Sequence, residues 1–127
     1  MKRILIVLIL AIIAVLAVQM TMKYRGTQKV SQIDEAQVKT LAAAVNAGEV
    51  IMYSTSECGY CHQAKNWLDE HGFAFTECNM SIERRCEDEF RAYGADGTPF
   101  LVICRGGKEH LMKQGFDTDE FLNAVRG

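Results

Sequence analysis

The first part of the chain is an unbroken apolar run. A basic start is followed by residues 4–18 without a single polar side chain. As a helix, residues 4–22 would be about 28 Å long, close to the hydrocarbon thickness of a bilayer. The pattern predicts a membrane-spanning helix within residues 1–23, followed by a short polar and basic tether over residues 24–31.

A cleaved signal peptide is the alternative interpretation of this run. Its basic start fits, and Val15-Leu16-Ala17 could serve as a processing site, but the apolar run continues past it. We therefore expect an uncleaved anchor. Basic residues lie on both sides of the run, so charge says little about orientation. Because short N-terminal flanks usually stay in the cytoplasm, we expect the rest of the chain to be extracytoplasmic.

From residue 32 onward, the pattern alternates between helical and strand periodicity. A strand–helix–strand portion predicts parallel strands, and the turn Arg105-Gly106-Gly107-Lys108 predicts an antiparallel hairpin. Residues 32–127 are therefore expected to form one α/β domain with a mixed sheet. The predicted order is α-β-α-β-α-β-β-α, with strands near 49–54, 73–78, 98–104 and 109–114 and later helices near 58–70, 81–93 and 117–125.

Composition adds two constraints. The net charge of -2 leaves no basic surface that would indicate nucleic-acid binding. Five cysteines in a chain of this size suggest redox chemistry, and an odd number cannot all pair within one chain.

Most of the remaining large apolar side chains are expected in the core, including Trp67 and Phe75. Cys104 lies in a strand that should be buried on both faces, and it is expected to act as a small hydrophobic residue. The same is expected of Cys86, which belongs to an apolar stripe on the helix near 81–93, formed by Ile82, Cys86, Phe90 and Tyr93. A Cys78–Cys86 disulfide is the alternative if the domain is exported.

The candidate chemistry is the dithiol Cys58-Gly59-Tyr60-Cys61, placed between a predicted strand and a predicted helix. The spacing puts both sulfurs on one side of the first helical turn. Free N–H groups and the helix dipole stabilise a thiolate there, which predicts Cys58 as nucleophile and Cys61 as resolving thiol. The negative charge of Glu57 opposes that thiolate, so we expect only moderate acidity.

Two other uses of these cysteines have to be considered. A structural zinc site needs four ligands, and no second close cysteine pair exists, so no metal is expected. Residues 58–62 also match C-x-x-C-H, the attachment motif for c-type haem. Because the motif directly follows a strand, we favour a redox dithiol, with His62 as a partly exposed helix residue.

Pro99 is the sole proline of the chain, and it opens a predicted strand. A cis bond between Thr98 and Pro99 facing the dithiol would leave the Thr98 backbone free to pair with an extended substrate. Tyr60, between the two thiols, is expected to cover the sulfurs and contact substrate.

Together these motifs make residues 49–126 resemble a glutaredoxin, a family within the thioredoxin-fold superfamily. The resemblance rests on the dithiol after a strand, Thr98-Pro99 before a strand, the Gly106-Gly107 hairpin, and Gly115-Phe116-Asp117 before the last helix. It implies a four-stranded mixed sheet flanked by helices and electron transfer through Cys58 and Cys61. The substrate contacts it implies are Tyr60, Thr98, Pro99, Gly115, Phe116 and Asp117.

The resemblance also implies glutathione as a candidate co-substrate, with no cofactor bound. Glutaredoxins usually place a basic residue shortly before the dithiol, and residues 54–57 contain none. Asp117 could meet the glutathione amino group, and Arg84 or Arg85 could replace the missing cation.

We therefore expect a monomeric, membrane-anchored thiol–disulfide oxidoreductase that acts on protein disulfides or glutathione mixed disulfides. The alternatives are an exported haem-carrying or metal-handling domain and a redox-inert adaptor.

Overall fold

The structure is a computed structural model, which describes residues 1–27 and 33–127. Within these residues the chain forms two compact units, Met1–Asp34 and Glu35–Gly127. The first contains one long helix, and the second contains the sheet and its helices.

Helix α1 (Lys2–Thr27) dominates the first unit. Its segment Lys2–Met20 is long and apolar enough to cross a membrane, and none of it is buried in protein; a signal sequence would share these properties. The helix includes residues 24–27, which were predicted as tether, because extending a helix that already exists is easier than starting one. The rest of the predicted tether, residues 28–31, lies outside the described residues.

The second unit has the predicted element order. A short 3-10 turn, Ala47–Glu49, is the one addition within the described part of this unit. The elements are α2 (Glu35–Ala44), β1 (Val50–Ser54), α3 (Gly59–Glu70), β2 (Thr76–Asn79), α4 (Arg84–Ala92), β3 (Phe100–Arg105), β4 (Lys108–Met112) and α5 (Thr118–Arg126).

The four strands form one mixed sheet in the order β2-β1-β3-β4. Strands β1 and β2 are parallel, whereas β1–β3 and β3–β4 are antiparallel, as predicted. The β3–β4 hairpin turns at Gly106 and Gly107, whose φ angles of 57° and 74° are the left-handed values that this turn requires. Since β1 is a central strand, the residues that follow it lie at one end of the sheet, beside its two central strands.

The core lies on both faces of β1 and β3. Phe100 is fully buried and packs against Tyr53 and Tyr93, with both ring centroids 5.6 Å away. Phe73 and Phe121 pack edge to face at 4.9 Å on another part of the sheet. Trp67 and Phe75 were predicted to lie in the core, but both are only half-buried. Phe73 is buried instead.

The predicted apolar stripe of α4 holds for three of its four members. Cys86, Phe90 and Tyr93 pack with Tyr53 and Phe100. Ile82 does not, and its side chain is 77% exposed. The helix starts at Arg84, later than predicted, because Asn79 accepts hydrogen bonds from the backbone of residues 82 and 83 in a turn.

Two cysteine predictions were wrong. Cys86, expected as a buried free thiol, is buried but forms the alternative disulfide with Cys78, because the turn between β2 and α4 brings their Cα atoms to 5.4 Å. Cys104, expected to be buried, is exposed near the end of β3, where its Sγ lies 4.0 Å from a Glu109 carboxylate oxygen. Partial desolvation and the Glu109 charge raise the pKa of the Cys104 thiol, so it is a poor nucleophile.

An ion pair joins α3 to β2. Lys65 Nζ lies 2.9 Å from Glu77 Oε1, and the buried Ser54 hydroxyl donates to the same oxygen at 2.6 Å. Burial alone would raise the pKa of Glu77, but the hydrogen bonds from Ser54 and Lys65 outweigh it and lower the pKa below 4.5. The charged carboxylate therefore stabilises the fold.

We expect Glu77 to make the stability depend on pH in acid. Its contribution is fully present above the pKa of an unfolded glutamate and is lost as the pH falls through the lower folded value, from about pH 5 downward. In Glu77→Gln, stability should be lower at neutral pH and fall less between about pH 5 and pH 3. Denaturant unfolding at several pH values measures this. Glu70→Gln, which removes an exposed carboxylate at the end of α3, is the control. An unchanged acid slope in Glu77→Gln would contradict the assignment.

Candidate active site

The dithiol lies where β1 gives way to α3. Cys58 is the N-cap of α3, and its Sγ accepts a hydrogen bond from the backbone N–H of Cys61 at 3.1 Å. The Cys58 N–H donates to Thr55 O at 3.3 Å, which turns the chain into the helix. The sulfur thus occupies the place that a serine or aspartate oxygen takes at other helix starts.

Cys58 and Cys61 form a disulfide, and their accessibilities differ. Cys61 is 1% exposed, whereas Cys58 is half-buried. An incoming thiol or disulfide can therefore reach the Cys58 sulfur and not the Cys61 sulfur.

Thr98 approaches the same sulfur from the loop before β3. Its hydroxyl donates to Cys58 Sγ at 3.4 Å. The Thr98–Pro99 bond is cis, which confirms the predicted isomer. The predicted role of the Thr98 backbone in substrate pairing stays a prediction. The contact of its side chain with the sulfur was missed, although a hydroxyl beside a proline that faces the dithiol is a visible signal for it.

A groove of about 610 Å³ lies beside the dithiol. Five of the predicted substrate-contacting residues line it, namely Tyr60, Thr98, Pro99, Gly115 and Phe116. Tyr60 is 74% exposed, so its ring forms part of the rim of the groove. Asp117 is not among the lining residues; it is exposed, and its Oδ1 accepts the Glu120 N–H as N-cap of α5.

The cation beside the groove is Lys113 and not an arginine of α4. Lys113 lines the groove, and its Nζ donates to Tyr93 O at 3.1 Å. Arg85 instead binds Glu83 and Glu89 on its own side of the sheet, and neither Arg84 nor Arg85 lines the groove. The sequence signal for Lys113 was its position shortly before Gly115 and Phe116.

Comparison with known proteins agrees with this geometry. The glutaredoxin family model matches residues 50–110, just under half of the chain. The match covers the dithiol, the cis-proline loop and most of the sheet. The second unit is glutaredoxin-like. Its sheet order and flanking helices also confirm the predicted thioredoxin-type fold.

Individual relatives match a part of this chain. An N-acetyl-S-hydroxy-L-cysteine reductase of Bacillus subtilis is 32% identical over 60 residues, covering 46% of this chain and 64% of the relative. A global transcriptional regulator, Spx 1 of Oceanobacillus iheyensis, is 34% identical over 59 residues, covering 44% and 45%. This chain thus spans less than two thirds of either relative. A solved glutaredoxin from Archaeoglobus fulgidus is 22% identical, with a TM-score of 0.48, covering 62% of this chain and 87% of that one.

Trp67 forms an aromatic wall of the groove. It lines the groove, lies 5.4 Å from the Phe116 ring and stacks on His71 at 4.1 Å on its other side. Gln63, one helical turn before Trp67, also lines the groove. Spacing alone could not separate this half-buried role from a core role for Trp67, because both put it on the inner side of α3.

His62, the histidine of the haem-attachment alternative, lies outside the groove. The His62 imidazole is exposed, and its Nε2 lies 3.3 Å from Ser56 O, so it is directed at the chain that precedes the helix. Among the described residues, no three His, Cys, Asp or Glu side chains lie close enough together to hold a metal ion.

Proposed function

We propose that the protein is a thiol–disulfide oxidoreductase whose reactive couple is Cys58 and Cys61. The observation that carries this proposal is the surroundings of Cys58 Sγ. That sulfur belongs to a half-buried residue next to Tyr60 and Thr98 of the groove, receives hydrogen bonds from Cys61 N–H and Thr98 Oγ1, and has a second, shielded sulfur attached to it.

The two donors have a direct chemical consequence. A thiolate is the reactive form of cysteine, and hydrogen bonds to an anion are stronger than hydrogen bonds to a neutral sulfur. The amide at the helix start and the Thr98 hydroxyl therefore stabilise the Cys58 thiolate once the disulfide is reduced. The dipole of α3 acts in the same direction.

In the reductive direction, the Cys58 thiolate attacks one sulfur of a substrate disulfide. A Cys58–substrate disulfide forms, the substrate S–S bond breaks, and the leaving sulfur departs as a thiolate that takes a proton from solvent. Cys61, as a thiolate after losing its proton, then attacks Cys58 Sγ and releases the second substrate sulfur. The substrate gains two electrons, and the enzyme is left with the Cys58–Cys61 disulfide. A dithiol or two molecules of glutathione reverse that change.

The groove favours a cysteine-containing substrate of modest size or an extended peptide segment. Trp67, Phe116 and Tyr60 offer apolar surface, whereas Lys113 supplies a positive charge for a carboxylate. Glutathione fits this description as a candidate co-substrate, with Lys113 in place of the cation expected on α4. Asp117 does not line the groove and caps α5, so it is a weaker candidate for binding the amino group. The reductase relative, named for a cysteine oxidised at sulfur, supports sulfur chemistry at this kind of site.

We further propose that α1 anchors a monomeric enzyme in a membrane with the glutaredoxin-like domain on the extracytoplasmic side. The support is the apolar segment Lys2–Met20 together with the Cys78–Cys86 disulfide. Structural disulfides form and persist in oxidising compartments. Labelling a cysteine placed before α1 and one placed in α5 with an impermeant thiol reagent, in intact cells, tests this orientation.

The test of the function is a redox titration of the full chain in detergent against glutathione buffers. Alkylation and mass spectrometry report the state of each cysteine. We expect Cys58 and Cys61 to change together as one two-electron couple, with a Cys58–glutathione adduct at intermediate potentials. A pair that stays unbridged at all potentials would overturn the proposal and leave the redox-inert adaptor.

Thr98→Val should make the Cys58 thiol less acidic. The change keeps the size of the side chain and removes the hydroxyl that lies 3.4 Å from Cys58 Sγ. A hydrogen bond to a charged group contributes roughly 1.5–3 kcal/mol, so we expect the pH at which Cys58 becomes alkylated to rise by about one to two units. Thr98→Ser keeps the donor and is the control. An unchanged alkylation profile in Thr98→Val would exclude a role for the hydroxyl.

A further inference from the structure

A second disulfide lies near the segment that leads into the reactive dithiol. Cys78 is in β2, Cys86 is in α4, and their side chains are 3% and 0% exposed. Together they close a loop of residues 79–85 at one end of the sheet. The disulfide belongs to the cluster around Tyr53 and Phe100, so it is fixed by packing on several sides.

The closed loop is hydrogen-bonded to the residues before Cys58. Ser81 Oγ accepts the Ser56 backbone N–H at 3.1 Å, and Asn79 Nδ2 donates to Ser56 Oγ at 3.2 Å. The backbone N–H of Met80 donates to Ser54 O at 2.8 Å. Asn79 Oδ1 also accepts the Ser81 N–H at 2.9 Å, which fixes the loop internally.

Ser56 is in turn connected to the first turn of α3. Its carbonyl oxygen lies 3.3 Å from His62 Nε2, and the neighbouring Thr55 carbonyl accepts the Cys58 N–H at 3.3 Å. A continuous set of contacts therefore runs from the Cys78–Cys86 disulfide through Asn79, Ser81 and Ser56 to Cys58.

We propose that the Cys78–Cys86 disulfide, acting through Asn79 and Ser81, is a positioning device that fixes Cys58 at the start of α3. This inference rests on the proposed function, since it concerns the rate at which Cys58 exchanges. Without the device, residues 54–57 lose their anchor, and Cys58 Sγ spends less time within reach of the Cys61 amide. Fewer donors on the sulfur make the thiolate less stable and the attack slower.

The positioning disulfide takes no electrons during turnover. Cys78 and Cys86 are buried, whereas Cys58 is only half-buried, so a thiolate that exchanges with Cys58 does not reach Cys78 or Cys86. Breaking it would consume two electrons and two protons from a dithiol reductant, after α4 had separated from β2. It therefore stays oxidised while Cys58 and Cys61 cycle.

The test compares variants of the full chain in detergent. Ser81→Ala removes the acceptor for Ser56 and keeps the disulfide, Ser81→Thr keeps the hydroxyl, and the double variant Cys78→Ala with Cys86→Ala removes the disulfide. Thr76→Ala, at the other end of β2, and Cys104→Ala are the controls. The measurements are kcat/KM for disulfide reduction and the rate of Cys58 alkylation as a function of pH.

We expect kcat/KM to fall roughly fivefold to tenfold in Ser81→Ala, and the Cys58 alkylation profile to move to higher pH. The double variant should also lower kcat/KM and move the alkylation profile to higher pH. Ser81→Thr and the two controls should behave as the parent protein. An active parent with unchanged profiles in Ser81→Ala would overturn the positioning role, whether or not the double variant folds. Ready alkylation of Cys78 and Cys86 in the native protein would overturn it too. An inactive parent protein would instead refute the proposed function.

Discussion

Cys58→Ser should reduce disulfide-reductase activity to the level of buffer, a loss on the order of 10³-fold or more. A serine hydroxyl at this position would meet the same Cys61 amide and Thr98 hydroxyl, but it stays protonated at neutral pH and does not displace a sulfur. Cys61 does not replace it as nucleophile, because its side chain is 1% exposed. The measurement is steady-state reduction of a small disulfide and of a protein disulfide by the full chain in detergent.

Cys61→Ser provides the matched control, because it changes the other member of the couple in the same way. Cys58 can still attack, but no neighbouring thiol resolves the product, so Cys58–substrate mixed disulfides should accumulate and be visible by mass spectrometry. Reversed behaviour, with adducts on Cys61 in Cys58→Ser, would assign the nucleophile to Cys61. Full activity in Cys58→Ser would remove the couple from the mechanism altogether.

The sequence predicted the dithiol and the fold because both depend on local patterns. Cys58 and Cys61 are three positions apart, at the N-cap and in the first turn of α3. The Gly106-Gly107 turn determines which strands pair without reference to distant residues. The strand–helix–strand order likewise restricts β1 and β2 to a parallel arrangement. The order of the elements along the chain was thus enough to place Cys58 at the end of a central strand.

The remaining parts of the site depend on distances across the fold. Lys113, just after β4, and Trp67 of α3 both line the groove, although 46 positions separate them in the chain. The Thr98 hydroxyl meets Cys58 Sγ across 40 positions. No periodicity contains such information, so Lys113 was overlooked and the cation was sought on α4 instead.

The pairing of Cys78 with Cys86 also could not be predicted from periodicity, although only eight positions separate the two residues. A helical stripe that includes Cys86 predicts a buried side chain, and the side chain is buried. Whether it is a free thiol or half of a disulfide depends on where α4 begins. Since the turn after β2 delays the helix to Arg84, Cys86 lies in the first turn of the helix, opposite Cys78.

Phe100→Ala should lower the free energy of unfolding by about 3–5 kcal/mol, the largest stability change that we expect from one core substitution. The ring is fully buried on β3 and contacts Tyr53, Phe90 and Tyr93, with centroids 5.6–5.8 Å away. Removing it leaves a cavity between the sheet and α4, and these neighbours are held by their own contacts and cannot fill it. Denaturant unfolding of the full chain in detergent, followed by the fluorescence of Trp67, measures the change.

Ile82→Ala is the matched control for this substitution, because it removes an apolar side chain from the same side of the sheet. If Ile82 were buried, as the predicted stripe requires, Ile82→Ala would destabilise the protein as much as a core substitution. Its side chain is 77% exposed, so we expect the free energy of unfolding to change by no more than about 0.5 kcal/mol. A cost of several kcal/mol for Ile82→Ala would mean that Ile82 is buried in the folded protein and that α4 starts where the stripe had placed it. A cost below about 1 kcal/mol for Phe100→Ala would mean that the aromatic cluster between α4 and the sheet is loosely packed, and α4 would then be a poor anchor for the loop that leads back to Ser56.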